Sequence, residues 1–272
     1  MTSINTNVGA LNARASAVRA TNQMQRSMER LSSGLRINSA ADDAAGLAVA
    51  GKMEAQLRGI NMSIRNAQDG VGLIQTAEAG LNEIRNMVLR IRELAVQMAN
   101  GIYEDTPDRD NAQLEVAALI NQVNLISDNT RFNDIAVIDG SFTGVTIQAG
   151  NTTAEIITLS FLDSGASTLN FVSSTVATQS DATVAIGVMD SALETIAGEQ
   201  ATMGSLVNRL EFSIANQTKA SVSTEQAVGR IMDSDFAAET TALSKAQILN
   251  QAATSMLAQA NQSKGLILQL IQ

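Results

Sequence analysis

Two adjacent carboxylates, Asp42 and Asp43, are the first residues in the chain that suggest metal binding or acid–base work. Neighbouring residues on a helix diverge by about 100°, so the pair is poorly placed to share one ligand. A cap or turn between helical segments is the expected role. The rest of the inventory narrows the chemistry further. The 272 residues include no cysteine, histidine or tryptophan. Thiolate nucleophiles, Ser-His and Cys-His pairs and the usual zinc and haem ligands are therefore excluded. Only carboxylates, lysines and hydroxyls remain, which points away from an enzyme and from any cofactor or metal. Met53, Met98, Met189, Met203 and Met256 recur at helical spacing and read as packing residues.

The charges point to surfaces. Residues 1–41 hold Arg14, Arg19, Arg26, Arg30 and Arg36 against Glu29. No aromatics lie between these arginines for base stacking, so they read as a solvated or partner-facing helix face, not as a nucleic-acid site. Residues 132–208 hold eight acids and no base, within a net charge of −9. No run reaches the roughly 20 apolar residues of a membrane span. The C-terminal run Leu266-Ile-Leu-Gln-Leu-Ile271 is too short to cross one. The first residues, Met1-Thr-Ser-Ile-Asn5, lack the basic and apolar segments of a cleaved secretory signal.

Heptad spacing is the strongest signal. Met53, Leu57, Ile60, Ile64, Ala67, Val71, Ile74, Ala77, Leu81, Ile84, Val88, Ile91, Ala95 and Met98 alternate steps of three and four, with one slip at 71-74-77. Such a repeat predicts one long, supercoiled helix, ended at Asn100-Gly101. Some fifty residues at about 1.5 Å each give a rod of roughly 75 Å. A shorter helix after Pro107 carries Leu114, Ala117, Ile120, Val123 and Ile126, and another runs from Met189 to Ile231. The two ends repeat the pattern more weakly, through Ile4, Val8, Leu11, Ala15, Val18, Met24, Met28, Leu31 and Leu35, and through Leu243, Ala246, Leu249, Ala253, Met256, Ala260, Ile267 and Leu270.

From about 132 to 183 the chain turns rich in Thr, Ser, Gly, Ile and Val. The runs Val145-Thr-Ile-Gln148 and Ile157-Thr-Leu-Ser-Phe161 flank Gly150-Asn151, the pattern of a small hairpin. The fold class is therefore mainly α: a long coiled-coil helical rod from the N- and C-terminal segments with a small central β-hairpin region. A lone pair of Ala- and Gln-rich terminal helices is marginal, so these ends are expected to fold on assembly, with neighbouring copies burying what they leave exposed.

Several motifs are similar to those of the bacterial flagellin family. They are Arg30-Leu-Ser-Ser-Gly-Leu-Arg-Ile-Asn-Ser-Ala-Ala-Asp-Asp-Ala-Ala-Gly-Leu-Ala-Val-Ala50, Ser3-Ile-Asn-Thr-Asn7, Arg90-Ile-Arg-Glu-Leu-Ala-Val-Gln97, Asn208-Arg-Leu-Glu211, Arg230-Ile-Met-Asp-Ser-Asp-Phe-Ala-Ala-Glu239 and the stretch Ala246–Asn261. They stand in the family's order over about 1–140 and 185–272. The alternatives on the same rod are a flagellin-like hook–filament junction protein, which should lack the Arg90–Gln97 and Ala246–Asn261 matches, and a surface-exposed binding protein. The middle leaves no room for large outer domains or an inserted hydrolase.

The resemblance implies an extracellular structural subunit that polymerises head-to-tail into the motility filament of the bacterial flagellum, after type III export without signal cleavage. It implies residues 1–43 and 233–272 as two halves of an inner-tube coiled coil, around 44–232 as a helical domain carrying the insert. Leu11, Val18, Leu31, Leu35, Leu243, Leu249, Met256 and Ile267 are the expected assembly seam. Implied partners are further copies, the cap and hook-associated proteins, an export chaperone at the C-terminal segment, and Toll-like receptor 5 through Arg90, Leu94 and Glu115. Arg90 and Leu94, four apart, should share an open face offset from the Val88–Ile91–Ala95 seam. Leu119 replaces an Arg common in well-recognised flagellins. The Ser/Thr-rich middle, which in flagellins often carries O-linked sugars, is expected to be a solvated loop.

Overall fold

A computed structural model describes residues 6–271, with side chains through Ser263. It is mainly α, 73 % helical. In chain order the elements are α1 (Val8–Ser33), α2 (Ala44–Met98), a single turn Asp105–Arg109, α3 (Asp110–Asn129), the short strands β1 (Arg131–Phe132), β2 (Ile135–Ala136), β3 (Val145–Gln148) and β4 (Ile156–Leu159), then α4 (Gln179–Met232) and α5 (Phe236–Ile271). The chain divides into two compact units: residues 58–221, and residues 1–57 with 222–272.

The unit 58–221 holds the main hydrophobic core. Its part of α2 buries a line of Ile60, Ser63, Ala67, Gly70, Ile74, Ala77, Leu81, Ile84, Val88, Ile91, Ala95 and Met98, with Leu73 and Leu94 buried beside it. The steps are three and four throughout, so the slip expected at 71-74-77 is absent. The seam runs through Ser63 and Gly70, while the more apolar Ile64 and Val71 are only half-buried. Close approach explains the choice. A Cβ on Gly70 would lie 3.4 Å from both Ile147 of β3 and Leu210 of α4, so a small residue lets both partners reach the α2 backbone. Ser63 satisfies its buried hydroxyl by donating to Ile60 O at 2.8 Å.

Helix α4 runs antiparallel to α2, as hydrogen bonds from Ser221 to Asn61 and from Gln200 to Asn82 require. It buries Ala182, Ala185, Met189, Ala192, Ile196, Met203, Leu206 and Leu210 at the same steps. Half-buried Glu199 fills the remaining heptad position and accepts from Leu162 N at 3.2 Å. In α3 the phase differs from the expectation. Ala112, Val116, Ile120, Val123 and Ser127 are buried, and Leu114 is 71 % exposed. The new helix begins at Asp110, three residues past Pro107.

The insert is part of this core. β3 and β4 pair antiparallel, Val145 with Leu159 through Gln148 with Ile156, leaving Gly150-Asn151 in the connecting loop. A second ribbon, β1–β2, turns at Asn133-Asp134, both at positive φ, as tight two-residue hairpins demand. Beyond β4 the chain is irregular but not solvated. Phe161, Ala166, Leu169, Phe171 and Val176 are all buried, which corrects the solvated-loop expectation. Their backbone is held by side chains of α3: Asn124 accepts from Ala166 N and Gln113 from Val176 N, at 2.9 and 2.7 Å. Phe142 and Phe161 stack with ring centroids 5.1 Å apart.

In the other unit, α1 and α5 pack along each other. Leu35 and Asp233 form an antiparallel bridge, with Arg36 N donating to Met232 O and Ser234 N to Gly34 O. Gly34 ends α1 at φ +74°, a left-handed cap that suits glycine. Ile37, Ala50 and Met232 form a small core here, with Leu35, Leu47, Val228 and Ile231 against it.

Candidate assembly and partner surfaces

The α1–α5 contact is built from small residues. On α1 the line facing inward is Ala10, Ala13, Ala17, Ala20, Met24, Ser27 and Leu31, in steps of three and four. On α5 it is Glu239, Ala242, Ala246, Asn250, Ala253, Leu257 and Ala260. Only Ala20, Ser27, Ala246 and Ala253 are fully buried. Alanine seams bring two backbones close but remove little apolar surface from water. Among the described residues, polar contacts joining the helices include Asn7 Nδ2 to Ala260 O at 3.0 Å, Asn250 Nδ2 to Thr21 Oγ1 at 2.7 Å, and Arg30 to Glu239 at 2.9 Å.

The larger apolar side chains point away from this line. Val8, Leu11, Val18 and Met28 on α1, and Phe236, Ile248, Leu249 and Met256 on α5, are roughly half to two-thirds exposed. Of the expected assembly seam, Leu11, Val18, Leu249 and Met256 lie on this open surface, while Leu31, Leu35 and Leu243 are half-buried. Ile4, Ile267 and Leu270 lie outside the described side chains. The sequence pattern named Ala246, Ala253 and Ala260 of the α5 line, and Met24 and Leu31 of the α1 line, but missed Ala10, Ala13, Ala17, Ala20 and Ser27, because larger residues at neighbouring positions give the same spacing. A groove of about 550 Å³ between the helices is lined by Ala13, Ser16, Leu249, Ala253 and Met256.

Asp42 and Asp43 serve as caps. Asp43 accepts from Gly46 N at 2.9 Å, the N-cap geometry for α2. Asp42 accepts from the hydroxyl and backbone N–H of Ser39 and from Asn38 N. Those bonds, the Ser39 hydroxyl first, hold its carboxyl below the usual carboxylate range. Among the described residues no cluster of carboxylates is arranged to hold a metal ion, and no helix is long and apolar enough to cross a membrane.

On the unit 58–221, Arg90 Nε donates to Glu115 at 2.9 Å and Arg90 Nη1 to Glu93 at 3.3 Å. Its hydrogen bonds to Glu115, then to Glu93, raise the guanidinium above its ordinary value. Arg90 and Glu115 are about half exposed and lie together. Leu94 does not join them at the surface. It is 4 % exposed, which corrects the expected open Arg–Leu face. The reason is a second partner. The Arg90–Glu115 bridge shows α3 on the Arg90 side of α2, and the Arg92–Asp190 bridge shows α4 on the other. Flanked on both sides, α2 buries a stripe wide enough to take in Leu94 beside Ile91 and Ala95.

Arg109, which no motif or spacing singled out, is 3 % exposed. It donates to Met98 O, Tyr103 O, Asn100 O and Asp105, closing the turn after α2.

Comparison with known proteins agrees with this architecture. Residues 4–143 match the bacterial flagellin N-terminal helical region and residues 186–271 the bacterial flagellin C-terminal helical region. A flagellin of Halalkalibacterium halodurans is 40 % identical, and one of Bacillus subtilis 35 %, each over 99 % of both chains. A flagellar filament 33 kDa core protein of Treponema phagedenis is 38 % identical over the same share of both. The crystal structure of Bacillus cereus flagellin is similar at a TM-score of 0.50 and 30 % identity, covering 56 % of this chain and 88 % of that one. The chain belongs to the bacterial flagellin family and is a structural subunit of the extracellular flagellar filament.

Proposed function

We propose that the α1–α5 pair is the polymerising segment, with residues 1–43 and 233–272 as its two halves and 44–232 as the domain it carries. One observation supports this most: the pair spends alanines on its own contact and leaves Val8, Leu11, Val18, Ile248, Leu249 and Met256 open to neighbours. Neighbouring copies that cover these residues supply the burial the isolated pair lacks. Head-to-tail contacts of this kind do not close, and so propagate a fibre. Removing residues 1–40 or 235–272 should leave a soluble monomer that cannot polymerise, as read by light scattering and electron microscopy. Filaments from either truncation would overturn the reading.

The partners that the family resemblance implies, namely the cap and hook-associated proteins, an export chaperone at the C-terminal segment and Toll-like receptor 5, belong to the same proposal. For the receptor, the paired Arg90 and Glu115 offer an exposed charged contact, while Leu94 supports it from the core. Arg90→Ala should sharply lower the response of a receptor reporter to monomer with helix content unchanged. A full response would remove Arg90 from the receptor contact.

A further inference from the structure

The turn after α2 places two hydrogen bonds on opposite partners of one covalent reaction. Asn100-Gly101 is the one Asn-Gly pair in the sequence, and both residues are exposed. Asn100 Oδ1 accepts from Ile102 N at 3.3 Å. That donor polarises the side-chain carbonyl and stands ready for the oxyanion formed when Cγ is attacked. The main-chain oxygen of Asn100 accepts from Arg109 Nη2 at 3.0 Å. A buried cation on this carbonyl draws electron density from the Asn100–Gly101 peptide and makes the Gly101 N–H more acidic. Gly101 brings no side chain to crowd its nitrogen, and that N–H makes no hydrogen bond among the described residues.

We propose that Asn100-Gly101 is a self-modification site, at which the folded turn converts Asn100 to aspartate and isoaspartate. Gly101 N loses its proton to water or hydroxide and attacks Cγ. The N–Cγ bond forms, the Cγ–Nδ2 bond breaks, and the nitrogen leaves as ammonia after taking up a proton. Water then opens the cyclic imide. Attack at Cγ yields aspartate, and attack at the main-chain carbonyl carbon yields isoaspartate, with the backbone rerouted through the former side chain. No electrons change hands. Either product adds a carboxylate beside Arg109, and isoaspartate also lengthens the link between α2 and α3, an irreversible age mark on the subunit.

The test uses the full chain, held at mildly alkaline pH either folded or unfolded in urea. Mass spectrometry of the tryptic segment 93–109 reads the exchange of NH for O at Asn100, and isoaspartyl methyltransferase labelling reads the rerouted product. The folded chain should react about tenfold faster than the unfolded one, the effect of about 1.4 kcal/mol off the barrier. Gly101→Ala should suppress the reaction in both states. A folded rate equal to or below the unfolded rate overturns the proposal. That comparison uses the wild-type chain, so a variant that fails to fold cannot obscure it.

Discussion

Two regions of this protein use one spacing rule with opposite fillings. In the unit 58–221 the three-and-four steps of α2 and α4 mix Ile, Leu, Val and Met with Ala, Ser63 and Gly70, and they close on each other, on α3 and on the aromatics of the insert. In the α1–α5 pair the same steps are mostly Ala, with Met24, Leu31 and Leu257 as their large apolar members, while Val8, Leu11, Val18, Ile248, Leu249 and Met256 stand outside. The first region completes its core within one chain. The second leaves large apolar side chains exposed, the surface proposed above for contacts with other copies. Heptad spacing therefore specifies that helices pair, and the size of the residues in the seam sets whether one chain suffices.

Breaking the outer face should give the largest effect. Replacing Leu11, Val18, Leu249 and Met256 together by Ser should abolish polymerisation, read by sedimentation, while the unfolding temperature of the monomer's 58–221 unit stays unchanged. Loss of monomer stability with filaments retained would reverse the assignment of the two regions. Next, Phe171→Ala removes a fully buried ring from the unit 58–221 and should cost about 3–5 kcal/mol in denaturant unfolding. Leu249→Ala, at 51 % exposure, should change monomer stability by no more than about 0.5 kcal/mol while still weakening assembly.

The smallest effect concerns Asp42. Its carboxyl titrates below its unfolded value, so the stability it adds is present above the usual carboxylate range. That stability is lost as pH falls through the lowered value. Thermal melts from neutral to acid pH should show a shallower acid decline in Asp42→Ala than in the wild type. An identical decline would show that the Ser39 bonds carry no linkage.

The legible part of the sequence was local. The long helix ending before Asn100-Gly101, the strand Val145–Gln148, its partner read as 157–161 and found at Ile156–Leu159, the cap at Asp43 and the family motifs each depend on a few neighbouring residues. What was not legible was phase. Ile64 and Ser63, Val71 and Gly70, or Val18 and Ala17 offer the same spacing one residue apart. Apolar counting favours the larger of each pair, whereas the structure buries the smaller, at Gly70 under the side chains of Ile147 and Leu210. Leu94 and the segment 160–178 illustrate the same limit. Leu94 is buried because α3 flanks α2 there, and the Ser/Thr-rich segment is buried because Asn124 and Gln113 capture its backbone while Phe161 and Phe171 fill the core. The sequence by itself determined which stretches are helix, strand and turn, since capping, propensity and periodicity act over a few residues. Only the tertiary structure decided which face of each helix is buried, because that depends on how many partners surround it and how closely their side chains pack against it.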